Sequence, residues 1–80
     1  MSETEIVKGV EEALGEVLSR PVVGLGLTTR QDDVEGWDSL AQIQLVLALG
    51  KRFGVKFTMR EVMDFTDVGS IVDCIERKQA

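Results

Sequence analysis

The chain has 80 residues, of which 44% are hydrophobic, and its formal net charge is −5. This length suits one small domain over residues 1–80, and the acidic balance disfavours nucleic acid as a partner, because nucleic-acid binders need a basic surface. The lack of histidine excludes Ser-His-Asp and Cys-His catalysis, and the single cysteine excludes an internal disulfide.

Residues 3–19 show the first helical pattern. Apolar residues recur at three- and four-residue intervals, and glutamates occupy many of the positions between them. Ser2 or Thr4 could cap the helix, and Pro21 marks its end. We expect a solvated acidic face opposite a stripe that faces the core, formed by Ile6, Val10, Ala13, Leu14, Val17 and Leu18.

A long connection follows over residues 20–37. One proline and three glycines break its periodicity, and a loop of this length inside a small domain is often functional. Its acids do not have the spacing of a calcium-binding EF-hand loop. We therefore expect a solvated charged loop without a metal site, with a short turn near residues 32–35.

Residues 39–53 form the second predicted helix. Asp38 suits its N-cap, and Gly54 suits the left-handed position after its last turn. Its apolar residues fall on two stripes offset by roughly 120°. We predict that one stripe docks against the core (Leu45, Val46, Leu49 and Phe53) and that the other faces a cleft or a partner (Leu40, Ile43 and Leu47).

The remaining residues predict a short helix and a longer one. Thr58 and Glu61 have the T-x-x-E spacing of a capping box, which predicts a helix over residues 59–64. Asp67 suits the N-cap of a last helix over residues 68–78. Cys74 lies off the inward stripe of this helix and is expected to be inert. The inward stripe comprises Val68, Ile71, Val72 and Ile75.

The predicted fold class is therefore all-α. No segment has a convincing strand pattern, and four helical segments follow one another along the chain. We expect a small four-helix bundle with three longer helices, one short helix and a long loop between helices one and two.

Ser39 is the candidate functional residue. It lies beside a helix N-terminus, where unpaired backbone N–H groups and the helix dipole favour a phosphate ester. Nothing in the sequence would activate its hydroxyl, because there is no histidine and Lys51 lies more than three turns away. We expect Ser39 to be the substrate of another enzyme, and a plain capping role is the alternative.

The motif Asp38-Ser39-Leu40, at the start of an apolar helix and after a long loop, resembles the acyl carrier protein family. The similarity covers nearly the whole chain, since the apolar run at residues 45–49, Phe53, the short helix and the segment 66–68 fall in register. The resemblance implies a carrier that is not an enzyme. A separate magnesium-dependent synthase, a phosphopantetheinyl transferase, would attach 4′-phosphopantetheine from coenzyme A to Ser39, with Asp38 and Leu40 completing the cofactor-binding motif. The arm's thiol would then carry acyl groups as thioesters.

The resemblance also implies partners. In such carriers the second helix and the loop before it dock onto partner enzymes, here enzymes that load and process acyl groups. Housekeeping fatty-acid carriers have acids along this helix, whereas this chain has none over residues 39–60. Charge complementarity controls partner choice, so a specialised lipid, polyketide or cell-envelope pathway is indicated. The corresponding surface here has Ala41, Gln44, Gly50, Lys51 and Arg52, extended by Lys56 and Arg60.

Trp37 is also unlike the small residue that housekeeping carriers tend to have before the aspartate. It either pins the loop onto the bundle, which we favour because a lone tryptophan is usually buried, or contacts a partner. The full set of candidate partner-contact residues is Trp37, Leu40, Ile43, Gln44, Leu47, Lys51 and Arg60.

Two other functions stay open. One is an aminoacyl or peptidyl carrier of the nonribosomal type, with the same attachment chemistry and a different cargo. The other is a helical adaptor that keeps the fold and remains unmodified. In each case we expect a cytoplasmic monomer without membrane insertion, because no signal peptide is recognisable and the longest apolar run is too short to span a bilayer.

Overall fold

The structure is a computed structural model that describes residues 2–79. Four α-helices follow one another along the chain: α1 (Glu3–Leu18), α2 (Ser39–Phe53), α3 (Met59–Asp64) and α4 (Val68–Gln79). A short 3-10 turn, Gln31–Asp33, lies in the connection between α1 and α2. The predicted all-α fold, with three longer helices and one short one, is confirmed. The predicted boundaries of α1 and α4 each differ from the observed ones by one residue.

Side-chain caps begin the four helices. The hydroxyl of Ser2, rather than that of Thr4, accepts a hydrogen bond from the Glu5 N–H at 3.2 Å. At the start of α3, Thr58 and Glu61 exchange the two hydrogen bonds of a capping box. Asp67 accepts from the Ser70 N–H at 2.8 Å at the start of α4. Capping satisfies backbone N–H groups that a helix leaves unpaired, which explains why the sequence located these helix starts.

The core lies between α1, α2 and α4. Its largest fully buried side chains come from all three helices, and each stabilises the fold by about 1.5–3 kcal/mol through removal of apolar surface from water. The short helix α3 contributes no fully buried side chain among the residues that the structure describes. The fully buried set comprises Ile6, Val10, Leu14, Leu45, Leu49, Val68, Ile71, Val72 and Ile75.

The long connection is tied to the N-terminus of α4. The N–H of Val68 donates to the carbonyl of Thr29 at 2.9 Å, and the N–H of Gly69 donates to the carbonyl of Leu27 at 2.7 Å. A Cβ at Gly69 would lie 2.8 Å from that Leu27 oxygen. Glycine at position 69 therefore allows the loop backbone to approach α4 this closely.

The placement of Cys74 corrects the expectation that it lies off the inward face of α4. The residue is only 2% exposed, because its flank of α4 is covered by α3. Its Sγ lies 3.6 Å from Oε2 of Glu61. Burial and the Glu61 carboxylate raise the pKa of the thiol, so the chemical inertness that the sequence indicated has a structural basis.

No helix within residues 2–79 has the length and apolar character needed to cross a membrane. In the same part of the chain, no group of three or more histidine, cysteine or carboxylate side chains is placed to hold a metal ion.

Candidate functional site

Ser39 is the first residue of α2, and it is exposed. Asp38 is the N-cap: its Oδ1 accepts from the Ala41 N–H at 2.8 Å, and its carbonyl accepts from the Gln42 N–H at 2.9 Å. The N–H groups of Ser39 and Leu40 have no acceptor within the helix, and no side chain of residues 2–79 accepts from them. An exposed hydroxyl therefore lies beside open backbone donors at the positive end of the helix dipole.

This arrangement suits a phosphate ester better than a nucleophile. The Asp38 carboxylate already accepts a backbone hydrogen bond from α2, and no basic side chain forms a hydrogen bond with Ser39 in the part of the chain that the structure describes. Lys51 lies twelve residues further along the helix, about 18 Å away at 1.5 Å per residue. Open N–H groups and the dipole stabilise an anion bonded to the Ser39 oxygen, so the residues present fit a phosphate-linked group.

A tight turn delivers the chain to α2. Gly36 has φ of 88°, a left-handed conformation that side chains disfavour. The Trp37 N–H donates to the Val34 carbonyl at 3.1 Å, and the Asp38 N–H donates to the Gly36 carbonyl at 3.0 Å. The turn places Trp37 inside the bundle, while Asp38 and Ser39 remain exposed at its end.

Trp37 is not part of the partner-contact surface, and its place among those residues is corrected. Its side chain is only 5% exposed, and its Nε1 donates to Oε1 of Gln42 at 2.7 Å. The side-chain amide of Gln31 donates to the Trp37 carbonyl at 3.2 Å. Trp37 therefore pins the loop onto the bundle, which is the role that the sequence favoured.

Gln42 is a residue that the sequence reasoning missed. It is buried in the first turns of α2 and pairs with the indole of Trp37. The signal available in the sequence was a polar residue between two apolar ones, Ala41 and Ile43, within one helical turn of the N-cap. Ala41, which was expected at the surface, is buried as well. It lies one helical turn before Leu45, on the side of α2 that packs in the core.

The two apolar stripes of α2 are placed as predicted. Leu45, Val46 and Leu49 are buried, and Phe53 is half-buried. On the other stripe, Leu40 is 64% exposed, Ile43 is 54% exposed and Leu47 is 65% exposed. Three large apolar side chains on one open helix face are typical of an interaction surface.

The basic residues of this region separate into two groups. Arg52 bridges to α1, with Nη1 2.8 Å from Glu12 Oε1 and Nη2 3.3 Å from Glu16 Oε1. It is therefore not a free surface cation, which corrects its place on the expected basic surface. Gln44 and Lys51 are exposed, and both line a groove between α1 and α2. Arg60 is exposed on α3 and lines a different groove, between α3 and α4.

Comparisons with known proteins identify the family of the chain. The sequence model of the phosphopantetheine attachment site family matches residues 8–75. An acyl carrier protein of Acidothermus cellulolyticus is 32% identical over 75 residues, which cover 94% of this chain and 89% of that protein. The chain belongs to the acyl carrier protein family. It is accordingly a non-catalytic carrier whose prosthetic group is 4′-phosphopantetheine, and phosphopantetheinyl transferases and acyl-processing enzymes are the partners that family membership implies.

Two further similarities concern the fold and the pathway. The solution structure of a holo acyl carrier protein from Geobacter metallireducens superimposes with a TM-score of 0.82 at 23% identity, covering 92% of this chain and 85% of that one. That likeness confirms the fold. A segment of the non-reducing polyketide synthase pkdA of Emericella nidulans is 45% identical over 40 residues. This match covers 50% of the chain and only 2% of the length of the synthase.

Proposed function

We propose that Ser39 is the residue that carries the 4′-phosphopantetheine group. The observation that supports this most directly is the exposed hydroxyl beside the open N–H groups of the first turn of α2. Asp38 would hold that turn in place through its cap, and Leu40 would flank the attachment point. The bound group supplies a flexible arm with a terminal thiol that carries an acyl chain as a thioester.

The surroundings of the other three serines support the choice of Ser39. The hydroxyl of Ser2 caps α1, and that of Ser70 makes three hydrogen bonds at the start of α4. Ser19 is exposed, but it follows the C-terminus of α1, where the helix dipole disfavours a phosphate. Ser2 also lies at the positive end of a long helix, but its hydroxyl is occupied by the cap, whereas the exposed Ser39 hydroxyl forms no hydrogen bond within residues 2–79.

The cargo we propose is an acyl intermediate of a specialised lipid or polyketide pathway. The 45% identity to a segment of a polyketide synthase supports this assignment. The absence of carboxylates from α2 supports it independently, because an enzyme that docks on an acidic helix would lose its complementary charges here. A monomeric single domain over residues 1–80 stays part of the proposal.

Intact mass tests the attachment site. The protein is incubated with coenzyme A and a broad-specificity phosphopantetheinyl transferase, and we expect a gain of one phosphopantetheine. Ser39→Ala abolishes the gain, whereas the matched control Ser19→Ala keeps it. No gain in the wild type, or a gain that survives in Ser39→Ala, contradicts the proposal.

Loading of the modified protein tests the cargo. Acyl-coenzyme A donors and aminoacyl adenylates are offered through their respective loading enzymes, and the mass of the protein reports the thioester. We expect acyl loading. Aminoacyl loading alone would show a carrier of the nonribosomal type. A wild-type protein that gains no phosphopantetheine in the preceding experiment would instead favour an unmodified adaptor.

A further inference from the structure

We infer that the exposed face of α2 docks a partner enzyme whose apolar contact patch is fringed by carboxylates. The docking face, which we term the α2 ridge, consists of Leu40, Ile43, Leu47 and Lys51. This inference rests on the proposed function, because the partner must meet an arm attached at Ser39. The inference adds to that function a description of the partner surface, which must be apolar at its centre and acidic around it.

The residues of the α2 ridge lie on one side of the helix. Their spacing of three, four and four residues follows the helical repeat, so the side chains form one row. Three members of the row are large apolar side chains that are more than half exposed, and the fourth is a lysine. The row therefore changes along α2 from an apolar section near Ser39 to a cationic end.

Two grooves flank the C-terminal half of the ridge, and Leu47 and Lys51 line both of them. The groove on the α1 side has a volume of about 650 Å³ and is also lined by Glu16, Gln44 and Ala48. The groove on the other side has a volume of about 390 Å³ and is lined by α2 and the segment that follows it, including Val55, Lys56 and Phe57. Partner side chains can therefore enter on either flank of the ridge.

The charges around the ridge select the partner. Arg52 is neutralised by Glu12 and Glu16 on α1. Lys51 and Lys56 form no salt bridge within residues 2–79, and residues 39–60 contain no carboxylate that could pair with them. The ridge itself is thus positively charged on a molecule with a net charge of −5, and Glu16, which lines the groove on the α1 side, pairs with Arg52. Complementarity requires acidic groups around the apolar patch of the partner.

The geometry also gives the position of those acidic groups. Ser39 and Lys51 are separated by twelve residues, which is about 18 Å along the helix axis. A partner carboxylate that pairs with Lys51 would therefore lie about 18 Å along the helix axis from Ser39, where the arm is attached.

A second copy of this chain is the competing occupant, because residues 1–19 contain five glutamates and, of these, Glu3 and Glu5 are exposed in the first turn of α1. Sedimentation of the wild type and of Lys51→Glu distinguishes the two. The partner-enzyme inference requires a wild-type monomer at the concentrations used below. A wild-type dimer that Lys51→Glu dissociates would overturn it.

Two synthetic amphipathic helical peptides provide the direct test. They share one leucine stripe and differ only in their flanking charges, which are all glutamate in one and all lysine in the other. Amide shifts of the isotope-labelled protein locate each binding site. We expect the glutamate peptide to shift residues of the α2 ridge, and we expect about 1 M salt to remove its advantage over the lysine peptide there, since the Debye length is then ~3 Å.

Binding of the glutamate peptide would be informative because the net charge of the protein alone favours the lysine peptide. A protein of net charge −5 attracts the lysine peptide overall, and we expect that peptide to bind on α1 if it binds at all. Binding of the lysine peptide on the α2 ridge, or absence of the glutamate peptide from it, overturns the inference.

Charge-reversal variants complete the test. Lys51→Glu and Lys56→Glu should each weaken binding of the glutamate peptide by about three- to tenfold, the range expected when one surface pair becomes repulsive. Lys8→Glu on α1 makes the same change in net charge away from the ridge and should leave the affinity unchanged. Equal losses in all three variants would contradict a local docking surface.

The mass gain at Ser39 is measured on the same samples. Modification without glutamate-peptide binding refutes the docking inference and leaves the proposed function intact. Binding at the ridge without modification refutes the proposed function and leaves the charge preference of the surface intact.

Discussion

The indole Nε1 of Trp37 donates a 2.7 Å hydrogen bond to Oε1 of Gln42, and both side chains are buried. The pair brackets Ser39, because Trp37 belongs to the loop and Gln42 to the second turn of α2. Through this bond the end of the long connection is fixed to the helix that presents the serine. The position of the Ser39 hydroxyl therefore depends on a buried polar pair as well as on the Asp38 cap.

The first prediction concerns this pair. Gln42→Leu keeps most of the side-chain volume but leaves a buried indole N–H without an acceptor, so we expect a loss of about 1–3 kcal/mol in the free energy of unfolding. Urea denaturation followed by circular dichroism measures it. Gln44→Leu, at an exposed position of the same helix, is the matched control. In a Trp37→Phe background, Gln42→Leu should cost less, and an equal cost would show that the hydrogen bond does not couple the two residues.

The Asp38 cap gives a second prediction. Asp38→Ala removes the acceptor of the Ala41 N–H, and we expect a loss of about 0.5–2 kcal/mol in stability together with faster amide exchange at Ala41. Asp38→Asn keeps a side-chain oxygen at the cap and should retain most of the stability. If the alanine and asparagine variants are equally stable, the cap does not hold the first turn of α2.

The close approach of the loop to α4 gives a third prediction. Gly69→Ala places a Cβ 2.8 Å from the Leu27 carbonyl oxygen, and a backbone atom cannot move aside as a side chain can. Overpacking and the weakened hydrogen bond should outweigh the better helix propensity of alanine, for a net loss of about 1–2 kcal/mol. Gly26→Ala, whose Cβ would meet nothing closer than 3.7 Å, is the control. A stabilised Gly69→Ala protein would contradict the observed loop position.

Glu61 gives a prediction about acid. Hydrogen bonds from the Thr58 N–H and from Lys78 lower the pKa of Glu61 from 4.5 to about 2. Because the pKa is lower in the folded state, the ionised carboxylate stabilises the fold above pH 4.5. That contribution is lost as the pH falls from 4.5 towards 2. Carbon-detected NMR titration measures the pKa directly.

Glu61→Gln should flatten the acid dependence of stability over this pH window. Glu76→Gln on α4 makes the same change of charge at an exposed position and serves as the control. An unshifted Glu61 titration would show that its capping and Lys78 contacts are not maintained in solution.

The Cys74 thiol gives the last prediction. Burial, reinforced by the Glu61 carboxylate, raises its pKa above 9.0, so the folded protein should react slowly with an aromatic disulfide reagent at pH 8. Unfolding in urea should accelerate the reaction strongly, and Glu61→Gln should accelerate it modestly in the folded state. Equal rates for folded and unfolded protein would contradict the burial of the thiol.

Helix ends could be predicted because their causes are local. A cap involves residues within three or four positions of one another, as with Asp38 and Ala41 or Thr58 and Glu61. The two stripes of α2 were also predictable, since side-chain direction follows the helical repeat once the helix is known. The family, by contrast, was indicated by the resemblance of the motif at Ser39, in register with the rest of the chain, to acyl carrier proteins.

The sequence by itself determined the four helices, the caps of α2, α3 and α4, and the serine at the start of α2, whereas the choice of Ser2 over Thr4 as the cap of α1 came from the structure. Only the tertiary structure decided that Trp37 is buried against Gln42, that Cys74 lies under α3, and that Arg52 is held by Glu12 and Glu16. Arg52 lies 36 and 40 residues from its partners along the chain. Such contacts depend on how the helices pack together, and helical periodicity carries no information about which neighbour covers a given flank. The free charge of the α2 ridge, and hence the kind of partner it fits, follows from that packing.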